Sequence, residues 1–317
     1  SNLYSDIKSN ITNKGNHENI IVEIPVGASS AEIAKLLKKN SLIKSKTFFK
    51  LLSKKAKADD KMKAGNYVLN TTMTTKQIIQ ILTEGKNFKN VVKITIPEGF
   101  EFNQIVARLE KHGLIEKEKF IQISNYGDFD YPFLENIPKG KNRLEGYLFP
   151  DTYLISTAAS EKDIIIDMLE RFHEVFKTEY YKRTKELNMT VHEIIVLASI
   201  IERETKVNRE RPMVSSVFYN RINKNMPLQS CATVQYALGK RKPILSTDDT
   251  KIDSPFNTYK YPGLPPNPIA YPGISSIEAA LYPKNTDYLY FVASGKGEHI
   301  FSKTFQEHLD AKNANNP

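Results

Sequence analysis

Apolar residues recur in two rhythms along the chain, and the switch between them marks the elements. Residues 20–24 and 92–96 alternate apolar and polar, as a strand with one buried face does. Each run then turns at Pro-x-Gly and continues with apolar positions three and four apart, the spacing of an amphipathic helix. The two stretches also match each other at an offset of 72 residues: Ile24-Pro25-Val26-Gly27 with Ile96-Pro97-Glu98-Gly99, Ile33 with Ile105, Leu37 with Leu109, Leu42-Ile43 with Leu114-Ile115, and Phe48 with Phe120. Each copy reads as strand, helix, helix. Two copies exclude a long solenoid and favour a pair of small α+β modules. Between them, residues 65–69 predict a returning strand and residues 74–83 a short helix capped by Thr74 or Thr75. A module closed over residues 21–90 has a marginal core and is expected to lean on its neighbour.

The second half carries a different pattern. Thr190-x-x-Glu193 is a capping box, and residues 194–201 are then apolar on every face, which predicts a central helix buried all round. The run stops at Glu202-Arg203-Glu204-Thr205, so acids stand where the buried helix emerges. A second helix follows, with Val214, Val217, Phe218 and Ile222 in one stripe and Pro212 tolerated in its first turn. Residues 257–273 hold five prolines with Tyr259, Tyr261 and Tyr271 between them, a stiff loop that suits a ligand wall and a plain connector equally. A strand over 288–293, a turn at Gly295-Lys296-Gly297, a short strand to Phe301 and a helix opened by Thr304-x-x-Glu307 finish the chain. The expected class is α+β: a small N-terminal module, then a larger mixed α/β domain around the buried helix.

Composition narrows the function classes. With 317 residues, 40% apolar and 26% charged, the chain is globular and long enough for about two domains. Residues 1–19 are polar and predict a flexible lead-in, and a start at Ser1-Asn2 fits a trimmed piece of a longer protein. The longest apolar run falls far short of the ~20 residues that span a bilayer. A lone Cys231 excludes an intramolecular disulfide, and six scattered histidines show no zinc spacing. With no Gly-x-Gly-x-x-Gly and no Walker loop, no metal and no cofactor are expected. Residues 1–90 hold sixteen lysines, no arginine and seven acids, and so carry the whole net charge of +9. That field favours an anionic membrane or polymer nearby, or is simply a solvated face. Nucleic acid is not expected, because the basic region has no arginine and no recognition motif.

Chemistry without metal or cofactor needs a proton donor, and a carboxyl at the margin of an apolar helix has its ionised form disfavoured. Glu202 and Glu204 lie about 200° apart around a helix, so both cannot face one cleft. Glu202 shares its face with Ile195, Ala198 and Ser199, small enough in part to admit a ligand, and is the favoured candidate. On these residues alone a second reading stays open: two solvated acids at a helix end among Arg203, Arg209 and Arg211.

The block from Ala198 through Glu202 to Thr205, with Val217-Phe218-Tyr219-Asn220-Arg221-Ile222, Pro227-Leu228-Gln229-Ser230, Asn257-Thr258-Tyr259, Gly263-Leu264-Pro265-Pro266 and residues 288–293, resembles the YceG-like endolytic murein transglycosylases, the MltG family. Leu144-Glu145-Gly146, with Pro150-Asp151-Thr152-Tyr153, resembles a further signature of that family. The resemblance runs over residues 95–310, and the basic module over 21–94 is similar, more weakly, to the LysM-like subdomain that precedes the catalytic domain (here 95–317). It implies non-hydrolytic cleavage of the β-1,4 bond between N-acetylmuramic acid and N-acetylglucosamine in peptidoglycan strands, leaving 1,6-anhydro ends. It places the catalytic glutamate on Glu202 and substrate contacts on Glu145, Tyr153, Gln229, Thr233, Asn257 and Tyr259. Many relatives carry Asp-Pro where this chain has Cys231-Ala232, so a second essential carboxylate is not expected there, and Cys231 is expected to be a small buried residue. The resemblance also implies a parent protein anchored by one N-terminal membrane helix, working outside the cytoplasmic membrane beside membrane-bound peptidoglycan synthases. A non-catalytic wall-binding scaffold is the alternative.

Overall fold

The computed structural model describes residues 19–71, 73–85, 91–242, 244–294 and 297–315; the expected lead-in and the turn at Gly295-Lys296 lie outside the described residues. They form a mixed α/β structure in two compact units: residues 1–93 with 154–158, and residues 94–153 with 159–317.

In the first unit β1 (Asn19–Ile24) pairs antiparallel with β2 (Gly65–Asn70), Ile20 facing Leu69 and Val22 facing Tyr67. Between them run α1 (Ser30–Lys39) and α2 (Lys46–Lys55), and α3 (Thr75–Glu84) follows. Each helix starts where a hydroxyl takes over an orphan N–H: Ser29 and Thr74 close full capping boxes with Glu32 and Gln77, and Ser45 accepts from the Phe48 N–H. The alternating and helical apolar sets meet in one core of Val22, Ile24, Ile33, Leu37, Phe49, Tyr67, Leu69, Ile78 and Leu82. Phe48 and Leu51 of α2 remain exposed.

The second copy of the repeat has the same order. β3 (Val91–Thr95) leads into α4 (Phe102–Lys111) and α5 (Lys117–Tyr126), and the returning strand is β4 (Thr152–Ser156), which pairs with β3 and precedes α6 (Glu161–Val175). What differs is the stretch before the return, which carries residues 142–147 as tight turns.

The rest of the second unit is mostly helical: α7 (Thr178–Glu186), α8 (Val191–Glu204), α9 (Arg211–Asn223), α10 (Cys231–Leu238), α11 (Ile274–Leu281) and α12 (Phe305–Asn315), with β5 (Tyr290–Ala293) antiparallel to β6 (His299–Ser302). α8 opens with the Thr190 and Glu193 box, and every residue from 194 to 201 is buried. An apolar surface all round needs partners all round, and α7, α9, α10 and α11 supply them. Residues 252–273, the proline-rich segment, contain neither helix nor strand.

Candidate active site

α8 ends because Thr205 leaves helical geometry (φ −134°, ψ 138°), so Glu202 and Glu204 sit in its last turn. They part company at once, each turning to the start of a different helix. Glu202 meets α11: its Oε2 accepts from the Gly273 N–H (3.1 Å) and the Ser276 hydroxyl (2.8 Å), and its Oε1 from Arg211 (2.9 Å). Both side chains of that ion pair are buried, with 7% and 6% of their surface exposed. Every oxygen of Glu202 is therefore committed inside the fold.

Glu204 meets α10. It accepts a hydrogen bond from the Ser230 hydroxyl and another from the Ala232 N–H, at the positive end of that helix. As whole residues Glu202 and Glu204 are both half-buried. Burial pushes the Glu204 carboxyl above the ordinary range, and the opposing pulls of Ser230, His299, Ala232 and Arg203 do not cancel that shift. The Tyr259 hydroxyl lies 3.1 Å from Cys231 Sγ, and both stand close enough for Glu204 to act on them electrostatically. A carboxyl whose ionised form is disfavoured by burial, beside hydroxyl donors and an aromatic ring, is suited to act as a general acid.

The residues expected around the acid divide into two groups. Gln229 and Tyr259 belong to the segments beside Glu204: Gln229 is exposed, and Tyr259 is half-buried. Gln229 adopts a left-handed backbone (φ 53°), uncommon for a residue with a side chain, and is held by its N–H to Thr258 O (3.0 Å) and its Oε1 to Arg221 (3.1 Å). Thr233 and Asn257 are fully buried and bind the loops instead. Thr233 Oγ1 meets Ser230 O and Thr258 Oγ1 (both 2.9 Å), while Asn257 Nδ2 donates to Thr250 O (2.9 Å) and Ile252 O (2.8 Å).

Glu145 is buried at 1% exposure and offers no surface to a sugar. It accepts from the Phe102 N–H (3.0 Å) and the Tyr236 hydroxyl (3.1 Å), so it braces the far end of α10, and burial pushes its carboxyl up to about 8. Tyr153 lies in β4 and gives its hydroxyl to the Phe149 carbonyl. Cys231, expected to be buried, is exposed, because it is the first residue of α10.

Two contributors had no signal in spacing. Arg221, on α9, is buried and fans its guanidinium over Leu289 O (2.6 Å), Pro227 O (2.9 Å) and Leu228 O (3.1 Å), which fixes the segment leading to Ser230. His299, half-buried, and Glu210, buried, form a pair (2.8 Å) reached from 89 residues apart. Among the described residues no group of three or more His, Cys, Asp or Glu could hold a metal ion.

Known proteins are similar to this chain along most of its length. An endolytic murein transglycosylase of Bacillus subtilis (strain 168) is 40% identical over 313 residues, 94% of this chain and 85% of that protein. A protein of the same name from Streptococcus pneumoniae serotype 2 is 34% identical over 319 residues, 92% of this chain and 57% of its own length. The 2.6 Å crystal structure of a yceG-like protein from Listeria monocytogenes superposes with a TM-score of 0.61 at 37% identity, covering 92% of this chain and 98% of that one. The pattern of the YceG-like family itself matches residues 22–314, and the chain belongs to that family.

Proposed function

We propose that this protein cleaves peptidoglycan with Glu204 as its one acid and base. The chain is an endolytic lytic transglycosylase: relatives bearing that activity in their name align with most of its length. The single observation that carries the residue assignment is the contrast within one helical turn, where Glu202 is tied by all its oxygens to Arg211, Gly273 and Ser276 while the Glu204 carboxyl, raised by burial, meets only the Ser230 hydroxyl and the Ala232 N–H. This shifts the assignment from Glu202, the residue favoured by helix faces and by the family resemblance, to its neighbour.

The reaction then runs in two proton steps. Glu204 protonates the glycosidic oxygen, and the bond from that oxygen to the anomeric carbon of N-acetylmuramic acid breaks, releasing N-acetylglucosamine as the alcohol. The Glu204 carboxylate next accepts the proton of the sugar's own 6-hydroxyl as that oxygen bonds to the anomeric carbon, giving the 1,6-anhydro end and restoring the acid. No water is consumed, so the second carboxyl that a hydrolase places about 5 to 9.5 Å away is not needed. Glu202, facing another helix, does not supply one. Gln229 and Tyr259 contact the glycan, and Thr233 and Asn257 hold the loops that present them.

The basic module is read as LysM-like on its strand, helix, helix, strand order, and its lysines as facing anionic lipid or wall polymer. A membrane anchor ahead of it and contact with membrane-bound synthases on the outer face of the cytoplasmic membrane complete the reading. No helix among the described residues is long and apolar enough to cross a membrane.

Mass spectrometry of products from purified peptidoglycan tests the function. Anhydro ends are expected; reducing ends would indicate a hydrolase, and no cleavage a scaffold.

A further inference from the structure

The two copies of the repeat differ on the outer face of their second helix. α2 and α5 are ten residues each and begin at Lys46 and Lys117, an offset of 71. At that offset Phe49 matches Phe120 and Ser53 matches Ser124, and all four are wholly buried. Phe49, not Phe48, therefore fills the place of Phe120. The counterparts of Phe48 and Leu51 on α5 are Lys119 and Gln122, both polar and exposed. A helix face that meets only water takes such residues, yet α2 shows Phe48 at 53% exposure and Leu51 at 63%. Three apart on a helix, the two side chains are neighbours and form one patch. Leu51 lies about 200° round from Phe49 at ~100° per residue, so it points away from the core.

The charge around the patch is equally one-sided. Residues 33–58 hold nine lysines, all exposed, and no acid, whereas the matching residues 105–129 hold four bases and four acids. Lys55 follows Leu51 by one turn, and Lys50 and Lys54 flank the patch along one side. Apolar side chains at the centre with ammonium groups at the margin form the pattern of a helix lying in a bilayer interface. The apolar part enters the acyl boundary, and the lysine stems lie along it while their charges meet phosphate. A soluble polyanion is matched by the lysines alone and leaves Phe48 and Leu51 in water. Ser45 Oγ accepts from the Phe48 N–H (3.2 Å), so the helix that carries the patch is capped at its start and already formed before it meets a surface.

We propose that this face of α2, with Phe48 and Leu51 at its centre, docks on a lipid bilayer bearing anionic headgroups. The inference deepens the reading of the lysines as facing an anionic surface and rests on it; the occupant is the membrane rather than wall polymer. The contact orients the basic unit on the bilayer whatever precedes it in the chain.

The sequence has no tryptophan, so Phe48→Trp places a single reporter in the patch. With vesicles of phosphatidylcholine containing about one-quarter phosphatidylglycerol its emission should shift to the blue, and with pure phosphatidylcholine or purified wall teichoic acid it should not. Co-sedimentation of the full chain with the mixed vesicles measures the parts. Phe48→Ser with Leu51→Ser should weaken binding by about tenfold or more, and Lys50→Gln with Lys54→Gln by roughly 25-fold, about fivefold for each lysine. All four side chains are exposed, so the variants should keep the wild-type circular dichroism spectrum. Unshifted emission on vesicles that do bind the protein, or full binding by the Phe48 and Leu51 double variant, overturns the proposal and leaves the lysines their anionic surface. Binding to teichoic acid with none to either vesicle overturns it in favour of the polymer. Binding to neither polymer nor vesicle removes the reading of the lysines as well.

Discussion

Two glutamates in one helical turn differ in what an amide would do to them, and that difference can be measured. Replacing Glu204 by Gln removes the proton donor and is expected to lower turnover by about 10² to 10⁴, the usual worth of a general acid, with little loss of stability because the neutral amide suits a site that disfavours charge. Glu202→Gln is expected to do the reverse. It removes the carboxylate paired with buried Arg211, with Glu98 left as the nearby acid, so stability should fall, by up to roughly 3 to 5 kcal/mol in urea titrations, while the fraction that stays folded still cleaves. Retained cleavage by Glu204→Gln together with its loss in a well-folded Glu202→Gln would restore the choice made from helix faces and family resemblance.

Glu145 gives a prediction in pH. Its folded carboxyl stands at about 8 against an ordinary value of 4.5, so the native state holds a proton that the unfolded chain has already lost. Stability from this group is full below the unfolded value and declines as pH rises from there through about 8, by up to ~1.4 kcal/mol per unit. Melting temperatures measured from about pH 5 to about pH 9 should fall on this account. Glu145→Gln should flatten the decline, and a slope unaffected by that change would show that Glu145 does not titrate in this range.

Elements matter here through how they end and how closely they approach. α8 is aimed by its capping box and stopped at Thr205, so both acids emerge between the starts of α10 and α11. Gly146 secures the neighbouring turn: its φ of 87° suits glycine, and a Cβ there would come within 2.7 Å of Pro268 and 2.9 Å of Ile195 on α8. Alanine at 146 therefore combines backbone strain with overpacking, and a destabilisation of about 1 to 3 kcal/mol is expected by denaturant titration. A neutral result would mean that the proline-rich segment yields more easily than its five prolines suggest.

For the molecule as a whole, the question is what the basic unit contributes. Cutting after residue 90 leaves β3 whole and its pairing with β4 intact. The shortened chain should still cleave short soluble glycan, while its attachment to intact wall material should weaken and lose most of its salt dependence, since the removed residues carry the net charge of +9. Sedimentation with purified walls at low and high salt measures this. A shortened protein that is folded by circular dichroism but inactive on soluble strands would show that the basic unit helps to build the cleft.

Local pattern determined a great deal unaided. Period-two and period-3.6 runs, hydroxyl caps and the 72-residue repeat predicted the order β1, α1, α2, β2, α3 and placed both strands and α3 to within a residue, because these signals act over one or two turns of chain. Ordered motif blocks carried the family, and with it the reaction. The choice between Glu202 and Glu204 was of another kind. Helix angle says that the two diverge but not which direction holds Arg211 and which holds Ser230, since those partners come from α9 and the start of α10. Glu145 and Asn257 looked like polar contacts for a sugar and proved to be sealed braces, as burial is settled only when distant segments close over a side chain. The His299 and Glu210 pair spans 89 residues and has no period at all. A carboxyl's protonation depends on its desolvation and on the charges within a few ångströms of it, and only the tertiary fold decides both.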